Sequence, residues 1–148
     1  MSDFAESTAG AGRVPGSGAS TDAGAARILI VEDDRLNMIL MCDLLELHGY
    51  RVLKAITGGE AIAVARRERP NLIVMDIGLP NMDGIATLRA LRADPSTADI
   101  PVVAVSSFAM RGDKDEFISA GFDGYLSKPI DTRRFPLYVA EFLAKKGS

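Results

Sequence analysis

From Arg27 onward the chain alternates between short apolar runs and amphipathic stretches. The runs ILIV (28–31), RVLKAI (51–56), NLIVM (71–75), PVVAV (101–105) and the weaker GYLS (124–127) are too short for buried helices and predict five strands. Helices are predicted between them. The first follows Asp33 and Asp34, with Leu36, Leu40, Leu44 and Leu47, joined by Met41 and Leu45, as its expected apolar face, and ends at His48-Gly49. The second opens on Thr57-Gly58-Gly59-Glu60, the spacing of a capping box, and stops before Pro70. The third takes Asp83 as N-cap and carries Ile85, Leu88 and Leu91; the fourth lies around Lys114 to Ala120 and ends at Gly121; the fifth runs towards Lys145. Pro136 falls inside that last stretch, where a proline loses one hydrogen bond and clashes with the preceding turn, so the fifth helix is expected to begin late or to kink.

Strict strand and helix alternation implies crossover connections and a parallel sheet, and strands apolar on both faces need helices on both sides. The expected architecture is therefore an α/β, doubly wound, five-stranded parallel sheet of order 2-1-3-4-5, flavodoxin-like. In that order the first and third strands are neighbours at the switch point, and their carboxyl ends open onto the ligand crevice.

Bulk properties narrow the function. A length of 148 residues suits a single domain, and no apolar run approaches the roughly 18 residues of a membrane span. A formal charge of −3, from 17 basic and 20 acidic residues, offers no electrostatic footprint for nucleic acid. Cys42 is the single cysteine, so an internal disulfide and a multi-cysteine metal site are excluded, in keeping with a cytoplasmic location. No base flanks it, so it is read as inert or partly exposed. Residues 1–26 are mostly Gly, Ala, Ser and Thr and are expected to form a disordered tail ahead of a domain spanning 27–146.

The chemistry gathers at the strand ends. Asp76 closes the third apolar run, and Glu32-Asp33-Asp34 closes the first. Carboxylates converging from adjacent strands repel unless a hard divalent cation joins them, and Mg²⁺, which keeps several waters and is often completed by a phosphate oxygen, suits such a site. Ser106 adds a hydroxyl after the fourth run and Lys128 a cation after the fifth. Carboxylate, metal, hydroxyl and lysine are the parts of a phosphoryl-transfer site, with Asp76 as the nucleophile that forms an aspartyl phosphate.

The succession VEDD, VMDIGLPNMDG, PVVAVSS and GYLSKP resembles the CheY-like receiver domain of bacterial two-component response regulators, over about residues 27 to 146. The VEDD-x-LNM start and the HGY after the first helix are most similar to stand-alone regulators of the DivK type. The resemblance implies that Asp76 is the phosphoacceptor, Asp33 a direct metal ligand, Glu32 a ligand through water, and the Gly78 carbonyl the remaining protein ligand. It further implies that Ser106 follows the phosphoryl oxygen, that Tyr125 moves with it, that Lys128 is the counter-cation, and that the bond to Pro129 is cis. The partners implied are a histidine kinase or histidine phosphotransfer protein, docking near the first helix, and a downstream protein bound on the face of the fourth helix, fifth strand and fifth helix.

Three positions depart from the family pattern. Glu32 replaces the commoner Asp, and Gly78 and Phe108, each two residues past a key group, stand where polar side chains are frequent. The expected function is that of a response regulator with no output domain, catalysing only its own aspartyl phosphorylation and dephosphorylation. A hydrolase working through an aspartyl phosphoenzyme would carry a second acid where Gly78 stands, and a receiver-like scaffold would have no need of intact Asp76, Ser106 and Lys128.

Overall fold

Among the described residues the five apolar runs become strands β1 (Arg27–Val31), β2 (Arg51–Ala55), β3 (Leu72–Asp76), β4 (Val102–Ser106) and β5 (Gly124–Ser127). The structure is a computed structural model and describes residues 25–78, 83–107 and 113–147. The sequence up to residue 24, together with Met82, Phe108 and Met110, lies outside them. All pairings are parallel and the sheet order is β2-β1-β3-β4-β5, the predicted 2-1-3-4-5. Helices α1 (Arg35–Leu47), α2 (Gly58–Glu68), α3 (Gly84–Ala93), α4 (Asp113–Ala120) and α5 (Arg134–Gly147) make the crossovers. No helix among the described residues is long and apolar enough to cross a membrane.

The two-residue period of the strands divides the core. Leu29, Val31, Ile73, Met75, Val102 and Ala104 face one way and pack with Ala61, Val64 and Ala65 of α2, Leu88 and Leu91 of α3, and Phe117 of α4. Their neighbours Ile28, Ile30, Leu72, Val74, Val103 and Val105 face the other way and meet Met38, Met41, Cys42 and Leu45 of α1 and Phe135 and Val139 of α5. Every residue of β3 and β4 is buried, which is why those runs lack alternation in the sequence.

The buried stripe of α1 is Met38, Met41, Cys42 and Leu45, so the expected leucine face is corrected in part. Leu36 and Leu47 are 75% and 81% exposed. Cys42 is buried rather than partly exposed, and burial pushes its thiol pKa upward.

The caps are those read from the sequence, with one difference. Asp34 accepts from the Asn37 amide (2.9 Å), Thr57 from Glu60 (3.1 Å) and Asp83 from Ala86 (3.1 Å). The Glu60 carboxylate reaches back one residue further than a capping box requires, to the Ile56 amide (2.8 Å). At α5 the Phe135 amide donates to the Asp131 carbonyl (2.9 Å), and Pro136, third in the helix that begins at Arg134, lies in the first turn, where its missing N–H breaks no ladder bond.

Candidate functional site

Register places the polar groups at one rim. Val31 pairs with Met75, so Glu32, the next residue, stands level with Asp76; Asp76 pairs with Val105 and Ser106 with Ser127, so Ser106 follows at the next step and Lys128 at the one after it. Backbone bonds extend the sheet there, Glu32 N–H to the Ala55 carbonyl (3.0 Å) and Lys128 N–H to the Ser106 carbonyl (2.9 Å). By strand alternation Glu32, Asp76 and Lys128 fall on the α1/α5 side, and Ser106 falls on the other with Tyr125.

Lys128 is the centre of the first group. Its ammonium donates to Asp76 Oδ2 and lies 2.9 Å from Glu32 Oε1. Glu32 and Asp76 are 1% and 4% exposed, so one cation is shared by two buried carboxylates. The second contact is a charge contact without the alignment of a hydrogen bond, which leaves Glu32 Oε1 a buried oxygen with no hydrogen-bond donor. Glu32 Oε2 accepts from the Asp34 amide (3.1 Å). Burial raises the Glu32 pKa above 4.5 and the Asp76 charge adds to the rise, while the Lys128 ammonium and the Asp34 amide offset part of it. Burial works to lower the Lys128 pKa, but the carboxylates of Asp76 and Glu32 together outweigh it, and the net direction is upward from 10.5.

Asp76 Oδ1 accepts from the Gly78 amide (2.8 Å), so both of its oxygens are held. Gly84 and Ile77 approach closely, since a Cβ on Gly84 would lie 2.7 Å from the Ile77 side chain. Asp33 is exposed and Asp34 is spent on capping α1. Among the described residues no three of His, Cys, Asp and Glu form a group that could hold a metal ion, and the Lys128 ammonium lies between Glu32 and Asp76. The donor set nevertheless fits a hard ion of magnesium's kind, which needs only one or two carboxylates, waters and a phosphate oxygen: two buried carboxylates, Glu32 and Asp76, share a single Lys128 ammonium, which leaves acceptor oxygens in excess.

Ser106 is 3% exposed at the end of β4. Tyr125 is half-buried, its ring stacked on Phe117 of α4 (centroids 5.7 Å apart, planes at 18°), and Phe117 meets Phe122 edge-on. The Lys128–Pro129 bond is cis. Two features escaped sequence reading. Arg92 of α3 donates to the carbonyls of Ala98, Ile100 and Gly121 and pairs with Asp123, tying α3 to the ends of β4 and α4 away from the rim. Tyr138 of α5 reaches β5 with its hydroxyl over Gly124; a glycine ahead of the rim tyrosine was the available signal.

This rim and sheet are shared with known proteins. The sequence profile of the response regulator receiver domain matches residues 28–140. The polar-differentiation response regulator DivK of Brucella anthropi is 42% identical over 116 residues, covering 78% of this chain and 94% of the relative; that of Brucella ovis is 41% identical over the same span. A CheY-like receiver domain protein from Methanospirillum hungatei superposes with a TM-score of 0.73 at 32% identity, over 83% of this chain and 97% of that one. The receiver domain of a Pseudomonas aeruginosa sensor histidine kinase, with a magnesium ion coordinated in its active-site cleft, superposes with a TM-score of 0.73 at 31% identity, over 81% and 98%. With its sheet order, its acid and lysine rim and these relatives in agreement, the chain belongs to the response regulator receiver domain family of two-component systems.

Proposed function

We propose that the protein accepts a phosphoryl group on Asp76 from a phosphohistidine, in a magnesium-dependent reaction, and signals through protein contacts. Receiver domains are signalling proteins rather than classical enzymes, and the proposed chemistry is confined to the chain's own carboxylate. The observation that carries the reading is the burial of Asp76 at a strand end with a lysine donating to it, an arrangement costly for stability alone.

In the proposed step one Asp76 oxygen forms a bond to phosphorus as the phosphorus–nitrogen bond breaks, and the electron pair leaves with the imidazole nitrogen of the donor. Positioning and charge neutralisation supply the acceleration. Glu32, Asp33, Asp76 and the Gly78 carbonyl, with waters, would hold Mg²⁺, and the ion would supply positive charge to the phosphoryl oxygens. Lys128 neutralises a further oxygen and Ser106 donates to another. Tyr125 follows Ser106, shifting the population of the surface formed by α4, β5 and α5 where a downstream protein binds. The donor docks beside the rim, where α1 exposes Leu36 and Ile39.

The test is incubation with Mg²⁺ and a small acyl phosphodonor, with the added phosphate located by mass spectrometry. Label is expected on Asp76, absent from Asp76→Asn, and lost in chelator. Full labelling of Asp76→Asn would sink the assignment.

A further inference from the structure

β5 is an edge strand, and Tyr138 of α5 lies over its face at Gly124. The Tyr138 hydroxyl sits over Gly124, so that a Cβ there would overlap it; the same Cβ would lie 3.4 Å from Phe142 and from Val103. The hydroxyl lies against the backbone of β5 at Gly124, next to Tyr125, and the Tyr138 ring is stacked on Phe142 (6.1 Å, 26°), which limits its swing. The Tyr125 ring points the other way, onto Phe117 of α4. β5 is thus held from two sides, by α4 through the Tyr125 ring and by α5 through the Tyr138 hydroxyl at the neighbouring Gly124. Both tyrosines line a cavity of about 320 Å³ with Ile118, Glu141 and Phe142.

We infer that the Tyr138 hydroxyl couples the state of Tyr125 to α5, with Gly124 as the gap that admits it. Stacking alone does not explain the residue, because phenylalanine would stack equally well on Phe142 while leaving the space over Gly124 unfilled. Movement of the Tyr125 ring displaces the β5 backbone at Gly124 and Tyr125, and the hydroxyl passes that displacement to the turn of α5 that exposes Leu137 and Glu141. The inference rests on the proposed reading of Ser106 and Tyr125 as the phosphoryl-dependent switch, and makes Tyr138 a positioning residue for its output.

Amide NMR shifts of the full chain, before and after treatment with Mg²⁺ and an acyl phosphodonor, test it. In the unaltered protein, shifts are expected at Ser106, Tyr125 and the α5 amides from Tyr138 to Ala144. In Tyr138→Phe the changes at Ser106 and Tyr125 persist while those in α5 shrink by roughly threefold or more. Undiminished α5 changes in that variant overturn the inference, as does a silent α5 in the unaltered protein whose Ser106 and Tyr125 respond. Silence at all of these sites counts against the phosphoacceptor reading instead, and a second measurement, independent of phosphate, then decides the contact. Gly124→Ala should lower the melting temperature in the native background and by less than about half as much in the Tyr138→Phe background; equal losses in both overturn the Gly124–Tyr138 pairing.

Discussion

Lys128 donates to Asp76 while lying 2.9 Å from Glu32, so a single ammonium balances two buried carboxylates. In Lys128→Met those carboxylates face each other unpaired, and the variant is expected to lose about 3 kcal/mol at neutral pH. The sign of the pH dependence follows from proton counts. With the ammonium gone, burial and the neighbouring Asp76 charge raise the Glu32 pKa unopposed, the folded variant then holds a proton that the unfolded chain has released, and stability rises as pH falls. The deficit against the unaltered protein should therefore shrink between neutral pH and about pH 5, as read by urea unfolding. In the unaltered protein the raised Lys128 pKa acts at the other end, giving stability that is present below 10.5 and lost as pH climbs through the folded value. A deficit that stays constant with pH would mean that packing of the lysine stem, not its charge, matters here.

On α1 two classes of leucine should separate. Leu45, fully buried against β1 and α5, is expected to cost about 3 kcal/mol on truncation to alanine. Leu36→Ala and Leu47→Ala should stay within about 0.5 kcal/mol, because both side chains already stand in water. Chemical denaturation of the three variants checks this, and a large loss from Leu47→Ala would place that residue in a contact beyond the chain described here.

The same helix shows where sequence reading failed and why. Nine of the 13 residues in RLNMILMCDLLEL are apolar, so hydrophobic period alone fits more than one face, and only the sheet beneath selects Met38, Met41, Cys42 and Leu45. The strands were easier. LIVMD and VVAVS are buried from end to end, so the residue that broke each run, Asp76 or Ser106, marked the rim directly. Parallel pairing then made neighbours of Glu32, Asp76 and Lys128, which are far apart in the chain. What one strand end cannot disclose is which cation fills the space between two acids, or that Asp33 stays exposed while Glu32 is buried. Arg92 acts largely through carbonyls on distant elements, and backbone partners leave no mark in a side-chain pattern; for Tyr138 the mark was Gly124, an absent side chain.

Cys42 is predicted to be silent while the fold is intact. Its side chain is 3% exposed and burial pushes its pKa above 9.0, so both access and thiolate are scarce. An alkylating reagent at neutral pH should label the denatured chain fully and the native chain at the rate of unfolding. The raised pKa also means that stability falls as pH rises past 9.0, where the unfolded chain ionises first, and Cys42→Ala should flatten that part of the profile. Rapid native labelling would contradict the buried placement.

The lifetime of the proposed aspartyl phosphate turns on Gly78. Hydrolysis needs a water held in line behind the phosphorus, and orientation of that kind is worth orders of magnitude in rate. Gly78 touches Asp76 Oδ1 only through its amide and has no side chain with which to hold a water. A Cβ at this position would stand 3.4 Å from that oxygen, an ordinary contact, so Gly78→Asn can add a polar group beside the phosphoryl site without displacing the nucleophile. The labelled variant, followed in Mg²⁺ with donor removed, is expected to lose phosphate roughly three- to tenfold faster than the unaltered protein, with an unchanged melting temperature. Phe108→Glu, two residues past Ser106, is the matching substitution and is expected to act in the same direction. If phosphate leaves both variants at the unaltered rate, water reaches the phosphorus without help from these positions, and the lifetime is set by Lys128 and the metal alone.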